Sequence, residues 1–441
     1  MACAVLGAAA MTGPAMASGY TVREQSAVAQ GNSQAGAAAR GDDASMMFFN
    51  PAAIGWMTGT QFSAGGSLII PESRVDSGSA TRARVFGNSP ITGSLGGDAG
   101  LDALVPHFYA TTGITDTVRV GIGVGAPFGL VTKYPAEWIG RYHALTSSLR
   151  TYNVTPTISW RPHETVTLGA GLQIQYANAR LSSGVDYGAA AAASSPALAA
   201  AGFLPGRFDG RSTIKGDNTN VGFTLGAQWR PVAGTTLGIG FRSSIQHTLQ
   251  GDATFEGVPL PLQSSLNFRN TQATAKLNTP ESVTLGATQR LGERWTLMAG
   301  AEWTNWSRFR DLNISFASGR PASITPQNYR DSVMLSVGGE YRLRDDITLR
   351  AGFAWDQSPV RDEYRTPRIP DSDRYWLSAG ATWQVMPNMA LTVAYTHVLA
   401  ASTSIRLRDG GPGTVDFLRG NLDIRNSANV NILTAGLRYS F

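Results

Sequence analysis

Cysteine is almost missing: Cys3 alone stands among 441 residues. It lies in a segment expected to be removed, which excludes disulfides, thiolate metal sites and a cysteine nucleophile from the mature chain. Charge is also scarce. Asp, Glu, Lys and Arg make up 15% of the residues, against roughly 25% in soluble chains. The formal net charge of +5 is carried by scattered single Lys and Arg. Without a basic cluster, nucleic acid is excluded as a partner. No run of 18 apolar residues occurs after the first few positions, so no helix is long and apolar enough to cross a bilayer. The chain also lacks a G-x-S-x-G elbow, a phosphate loop and an H-E-x-x-H pair. His107, His143, His163, His247 and His397 are never at metal-ligand spacing. Gly121-Ile122-Gly123-Val124-Gly125 sits mid-strand with no helix after it, so its glycines read as small lumen-facing residues rather than a nucleotide loop. No enzyme activity, cofactor or metal is expected.

What the chain does have is glycine, aromatic residues and period-two alternation. Glycine accounts for 50 residues, about 11% where about 7% is usual. Val166, Leu168, Ala170, Leu172, Ile174 and Tyr176 alternate with Thr167, Gly169, Gly171, Gln173 and Gln175. Val221 to Trp229 and Tyr375 to Trp383 repeat the pattern. A soluble sandwich would alternate too, but with charge on its outer face. Here the polar face is Thr, Gly, Gln and Ser, while the other is aliphatic with aromatic ends. That pattern predicts an all-β transmembrane antiparallel β-barrel: apolar band outward, aromatic girdles at both interfaces, small and polar residues inward.

About fourteen such segments follow one another, and short and long connections alternate. Tight links occur at Thr115-Asp116, Arg161 to Glu164, Arg230 to Gly234, Gly292 to Arg294, Arg344 to Asp346 and Met386 to Asn388. Between them lie polar stretches at 71–101, 184–216, 250–275, 307–328, 357–373 and 403–427, read as external loops. Tyr439 and Phe441 end an amphipathic last strand, the type of signal the barrel-assembly machinery is understood to read. Residues 1–17 read as a secretory signal ending Ala15-Met16-Ala17, with its basic start lying further upstream. Residues 18–58 carry an apolar patch, Met46-Met47-Phe48-Phe49, on a small-residue background. They are expected to form a hatch plugging the lumen rather than a periplasmic tail, because such patches find a partner. Residues 59–441 are expected to form the barrel, in the outer membrane of a Gram-negative cell.

Four stretches resemble the FadL family of outer-membrane transporters for long-chain fatty acids and other hydrophobic compounds. Gly41-Asp42-Asp43-Ala44 leading to Asn50-Pro51-Ala52 is similar to its hatch with the N-P-A motif. Pro127-Phe128-Gly129-Leu130 through Trp138, Gly140-Arg141-Tyr142 and Ala144 resembles its third strand and following loop. Asn278-Thr279-Pro280-Glu281, then Trp303, Trp306-Ser307 and Phe309, fits its middle strands. Phe353, Trp355-Asp356 and Ser358-Pro359-Val360, with Ile369-Pro370-Asp371-Ser372-Asp373-Arg374 running to Gly380, is the most specific match.

The resemblance implies a fourteen-stranded barrel closed by an N-terminal hatch. It further implies capture of ligand among external loops, passage to an apolar lumen pocket, hatch movement and lateral exit beside a kinked third strand. Phe128 and Gly129 fall at that kink, with glycine suited to breaking strand pairing. Asn50, Pro51 and Ala52 are the hatch motif, and Tyr20 falls where the family places an aromatic against the pocket. For a carboxylate head, Arg330 aligns with a strand-start cation, and Arg180 is a second choice, placed on the inward register after Tyr176. Leu181-Ser182-Ser183 replaces a further basic residue of the fatty-acid members, which leaves aromatic hydrocarbons and alkanes open as ligands. Arg374, with Asp371 and Asp373, belongs either to a pocket-side charge cluster or to an ordered external turn. Gly188 to Ala201 reads as two short helices broken at Pro196. The expected partners are hydrophobic small molecules, outer-membrane lipid and lipopolysaccharide and the assembly machinery, around a monomer. The alternative is a general diffusion porin, or a structural or adhesion barrel with the hatch-like segment outside.

Overall fold

The computed structural model describes residues 19–414 and 416–441. The expected signal segment, residues 1–17, lies outside the described residues. Alternating side chains build one antiparallel sheet that closes on itself as a barrel of fourteen strands. In chain order these are β1 Gln61–Thr81, β2 Ala103–Gly113, β3 Val118–Gly125 continued by Gly129–Lys133, β4 Thr146–His163 and β5 Val166–Asp186. Then come β6 Asp209–Trp229, β7 Thr235–Arg242 with Ile245–Glu256, β8 Thr271–Thr279 with Ser282–Leu291, and β9 Trp295–Thr304 with Asp311–Phe316. The circuit is completed by β10 Ser323–Pro326 with Ser332–Arg344, β11 Ile347–Asp356, β12 Arg374–Met386, β13 Met389–Ala400 with Thr403–Leu407, and β14 Asn421–Ser440. Closure is made by β1 against β14, from Gln61 opposite Ser440 to Thr81 opposite Asn421. With every strand paired on both sides for at least part of its length, the barrel closes and can stand in lipid.

The alternation sorts the two faces as expected. Leu172, Val221, Leu225, Leu297, Val337 and Val393 point outward and are exposed. Trp160, Trp229, Trp295 and Trp383 form the girdle at the end with tight turns, and Tyr152, Tyr176, Tyr375 and Tyr395 the other, all exposed on the outer face. The strands run further than the sequence suggested. Parts of the presumed loops are strand: 71–81 continues β1, 209–216 opens β6, and 421–427 opens β14. Beyond the bilayer both faces of a strand meet water, so the period-two signal fades while the ladder continues. The alanine-rich stretch forms the two expected helices, α1 Tyr187–Ser194 and α2 Pro196–Ala200.

Inside the barrel runs the N-terminal segment, buried from Gly19 to Arg40 almost without interruption. It is a chain of short turns, three of the four capped by a side chain. Ser26 accepts from Ala29 N–H at 3.3 Å, Asp43 from Ser45 N–H at 2.9 Å, and Asn50 from Ala52 N–H at 3.0 Å. Asn50 also donates to the Ala38 and Ala227 carbonyls, at 2.7 and 3.0 Å, tying the turn to β6. The N-P-A motif is thus cap, first helical residue and a fully buried alanine.

The inner glycines explain how so much backbone fits. A Cβ at Gly238 would strike the Ala38 carbonyl, one at Gly352 would strike Asn32, and one at Gly226 would strike the Asn50 amide. The wall is bare where the hatch backbone leans on it. Gly238→Leu and Gly352→Leu should therefore each overpack the lumen by about 1–3 kcal/mol. In folded protein, trypsin should then cut at Arg23 and Arg40 at least about ten-fold faster than in wild type; unchanged cleavage would show that the hatch does not depend on this contact.

Candidate functional site

The third strand is broken. Ala126, Pro127 and Phe128 stand opposite only Thr151 and Tyr152 of β4, a bulge with one residue too many. Below it β3 pairs with β2 from Gly113–Arg119 up to Phe108–Val124. Above it β3 pairs with β4 alone, so Ala103–His107 of β2 have no ladder on that side. Pro106 falls in this stretch and brings no N–H to leave unpaired.

The hatch supplies the missing partners. Val22 N–H donates to the Pro127 carbonyl at 2.8 Å, and Gly129 N–H to the Tyr20 carbonyl at 2.9 Å, an antiparallel bridge of Thr21 to Phe128. The Gln25 amide donates to the Ala126 carbonyl at 2.9 Å and accepts from Ala126 N–H at 3.2 Å. Thr151 Oγ1 accepts from Phe128 N–H at 3.0 Å, and Thr151 N–H donates to the Phe128 carbonyl at 3.1 Å. Through the bulge, every backbone donor and acceptor from Ala126 to Gly129 N–H is satisfied, four of the six by the hatch and two by Thr151.

Directly above lies an apolar cavity of about 90 Å³, walled by Leu130, Leu149, Leu181, Leu249, Leu277, Phe309, Leu312 and Ile314, with Tyr20 at one side. Tyr20 is 1% exposed. Its ring meets Trp306 edge-on at 4.4 Å and Phe309 at 5.8 Å, and its hydroxyl donates to the Asn278 carbonyl at 3.2 Å. Pro280 ends the upper run of β8, and Trp306 turns fully inward where β9 breaks. Beside these interruptions Leu130, Leu277, Leu312 and Ile314 line the cavity.

Charges are buried beside the same hatch residues. Arg23 lies 2.8 Å from Glu302 of β9 and 3.4 Å from Asp356 of β11. Arg374, at the start of β12, lies 3.2 Å from Asp356 and 3.5 Å from Asp371. Asp371 in turn accepts from Gly19 N–H at 3.0 Å and from the Ser358 hydroxyl at 2.7 Å. Glu24 is 1% exposed and its Oε2 has no hydrogen-bond donor. Burial pushes its carboxyl up to about 7, only partly offset by Arg23 and Arg374.

The structure brings Tyr20, Phe128 and Gly129 together, with the bulge in the residues preceding Gly129. Gly129 does not have positive φ; a Cβ there would lie 3.3 Å from Val22. Asn50, Pro51 and Ala52 sit away from the cavity, against β6. Arg374 is a buried partner of hatch-facing acids, so the charge-cluster reading fits it better than the external turn. Arg180 is corrected: it is exposed on the outward register. It shares the parity of Tyr176, four residues earlier, and with a period of two both face lipid; Ala179 and Leu181 point inward instead. Arg330 is also outside the cavity. Its guanidinium is 44% exposed on the rim, bonded to the Ser358 carbonyl at 3.1 Å. Gln25, Leu249, Leu277 and Leu312 were not singled out from sequence. The available signal was parity: an aliphatic side chain on a face otherwise small and polar marks a pocket wall.

Comparison with known proteins agrees with this geometry. A family model described as outer membrane protein transport protein (OMPP1/FadL/TodX) matches residues 8–441. A putative outer membrane protein of Neisseria meningitidis is 30% identical over 462 residues, covering 99% of this chain and 97% of its own. A long-chain fatty acid transport protein of Salmonella typhi is 26% identical over 403 residues, covering 89% of each. The crystal structure of a Pseudomonas aeruginosa FadL homologue superposes with a TM-score of 0.86 at 27% identity, covering 96% of this chain and all of that one.

Glu24 sets a pH dependence on hatch docking. Its folded pKa lies above the unfolded value, so the docked form favours the proton, and docking weakens as pH rises from about 4.5 to about 7. Hydrogen exchange at Arg23–Ser26, corrected for intrinsic rate, should be at least about ten-fold faster at pH 7.5 than at pH 5. Glu24→Gln should abolish the difference; an unchanged pH response in that variant would assign it to another group.

Proposed function

The chain belongs to the outer membrane protein transport family (OMPP1/FadL/TodX), a family of outer-membrane transporters of hydrophobic compounds, and from that premise we propose passive uptake with lateral release. A long-chain fatty acid or comparable hydrophobic molecule is captured among the external loops. There Tyr187, Leu262, Phe203 and Phe268 form an apolar cluster, and Leu260 is left 82% exposed. The molecule passes into the apolar cavity, where each buried methylene contributes about 0.8 kcal/mol. It leaves through the unpaired stretch between β2 and β3, directly into the membrane.

One observation carries this reading. Tyr20 is both a wall of the cavity and, through its carbonyl, a hydrogen-bond partner of the β3 bulge. A ligand that displaces the Tyr20 ring therefore strains the bonds that close the wall. The buried acids and arginines around Arg23 and Glu24 hold the segment near balance, so a modest push is enough to move it. The residues assigned to gating are Tyr20, Phe128 and Gly129, with Asn50, Pro51 and Ala52 as the fixed hinge of the hatch. The protein acts as a monomer in outer-membrane lipid and lipopolysaccharide. A lumen filled by buried hatch residues argues against the diffusion-porin alternative.

A cross-link tests it. With Cys3 in a segment expected to be removed, Val22→Cys with Gly129→Cys gives a barrel whose thiols can be paired at will; the Gly129 Cβ position is 3.3 Å from Val22 Cγ2. Uptake of labelled fatty acid by cells relying on this protein should fall at least about ten-fold when the pair is oxidised and return on reduction. Wild-type uptake by the oxidised form would rule out the lateral route.

A further inference from the structure

The lipid-facing wall is not uniform. The ladder between β4 and β5 runs down to Val154 opposite Ile174 and resumes only at Thr157 opposite Gly171. Pro156 lies in that gap and brings no N–H to bridge it. One outward step further, Ala170 stands between Ile158 and Leu225, and Leu172 stands opposite Phe223. A methyl group among large side chains leaves Ala170 at the floor of an outward groove of about 400 Å³, walled by Pro156, Ile158, Leu172, Phe223 and Leu225. On β4 the groove lies between the girdle residues Tyr152 and Trp160, with Pro156 about 13 Å of strand from each. That is mid-wall, a depth reached by acyl tails of the outer leaflet.

Above the tyrosine girdle the same three strands carry cations on the same outward face. Arg150 is one outward step beyond Tyr152, Arg180 is two beyond Tyr176, and Lys215 stands directly opposite Arg180. Arg180 and Lys215 are exposed and Arg150 is half-buried. Among the described residues none of the three forms an ion pair or a side-chain hydrogen bond. Lys133 on β3 and Lys276 on β8 extend the row, and Asp217 and Asp252 are set within it, so five cations face two acids. Higher up, Arg211 and Glu256 stand opposite each other and cancel. On β1 the outward positions beyond the bilayer read Glu72, Arg74 and Asp76, so the excess is not a property of the whole rim. Lys and Arg held at the level of an anionic lipid surface attract its phosphates, and a guanidinium fork matches phosphate oxygens.

We propose that the outer face of β4, β5 and β6 is a docking site for one doubly phosphorylated, multiply acylated glycolipid of the outer leaflet, the lipid A part of lipopolysaccharide. Its phosphates lie against Arg150, Arg180 and Lys215, and one acyl chain runs past Tyr152 and Tyr176 into the groove over Ala170. Arg150 and Lys215 stand two strands apart, about 10 Å. A single phosphate engages one end of that row, whereas a headgroup with two phosphates engages both. The site is separate from the cargo cavity, because Leu149 and Leu181 of the same strands point to the other side of the wall. It goes beyond the transport reading and does not depend on which cargo is carried.

Native mass spectrometry of the full, delipidated barrel in mild detergent tests this, with lipid A, its monophosphoryl form and phosphatidylglycerol as probes. Wild type should retain one lipid A, and bind the other two at least about five-fold more weakly. Arg150→Gln with Arg180→Gln and Lys215→Gln should weaken lipid A at least about ten-fold. Ala170→Phe, which fills the groove and leaves every charge in place, should weaken lipid A and its monophosphoryl form alike, at least about three-fold. Arg74→Gln, outside the patch, should change neither. Lipid A binding that is unchanged in the triple variant or in Ala170→Phe, lost equally in Arg74→Gln, or matched by phosphatidylglycerol would overturn the assignment. Cargo uptake is not read in this experiment, so each of those results leaves the transport reading standing.

Discussion

A strand that breaks inside a membrane must find partners for its backbone groups, because lipid offers none. At Ala126 to Gly129 those partners come from Tyr20, Val22 and Gln25 of the N-terminal segment, and from Thr151 of the neighbouring strand. The rest of the molecule follows from this. The hatch must reach the bulge, so the lumen must hold its backbone, so the inner wall is glycine. The bonds that complete β3 at the bulge are largely bonds to the hatch, so the broken strand and the docked segment form one hydrogen-bonded unit beside the unpaired stretch of β2.

The second consequence concerns charge. A hatch held only by apolar packing would be fixed, and one held only by exposed ion pairs would be loose. Arg23, Glu24, Asp356, Arg374 and Asp371 lie between these limits: buried, mutually close, and with three acids to two bases, four once Glu302 is included. Buried ion pairs contribute little net stability, but they enforce geometry, since any displacement leaves an uncompensated charge. Such a cluster defines one docked position sharply.

How much was legible in advance depended on whether a feature was periodic. Leu172, Val221 and Val337 faced lipid because their parity required it, and the strand count followed from alternating short and long links. Asn50-Pro51-Ala52 was visible as a motif, though its role as cap and tether to β6 needed the Ala38 and Ala227 carbonyls to be seen. Strand ends were misjudged at 71–81, 209–216 and 421–427, where water on both sides erases the pattern. Arg180 was assigned to the wrong face by miscounting parity from Tyr176, an error the sequence itself could have corrected. Arg330 lay outside the cavity for a different reason: its place is set by the rim contacts with Ser358 and Asp373, which no spacing reveals.

By itself the sequence determined a closed barrel, its lipid-facing side, its small-residue lumen and an apolar leading segment able to fill it. These are properties of local alternation and composition, which the chain carries residue by residue. Only the tertiary structure decided what meets at the bulge, that Tyr20 joins cavity to wall, and that a loop arginine more than 200 positions from Ser147 hydrogen-bonds to it. Those depend on which strands lean inward and by how much, and a closed sheet settles that only when all its registers are satisfied at once.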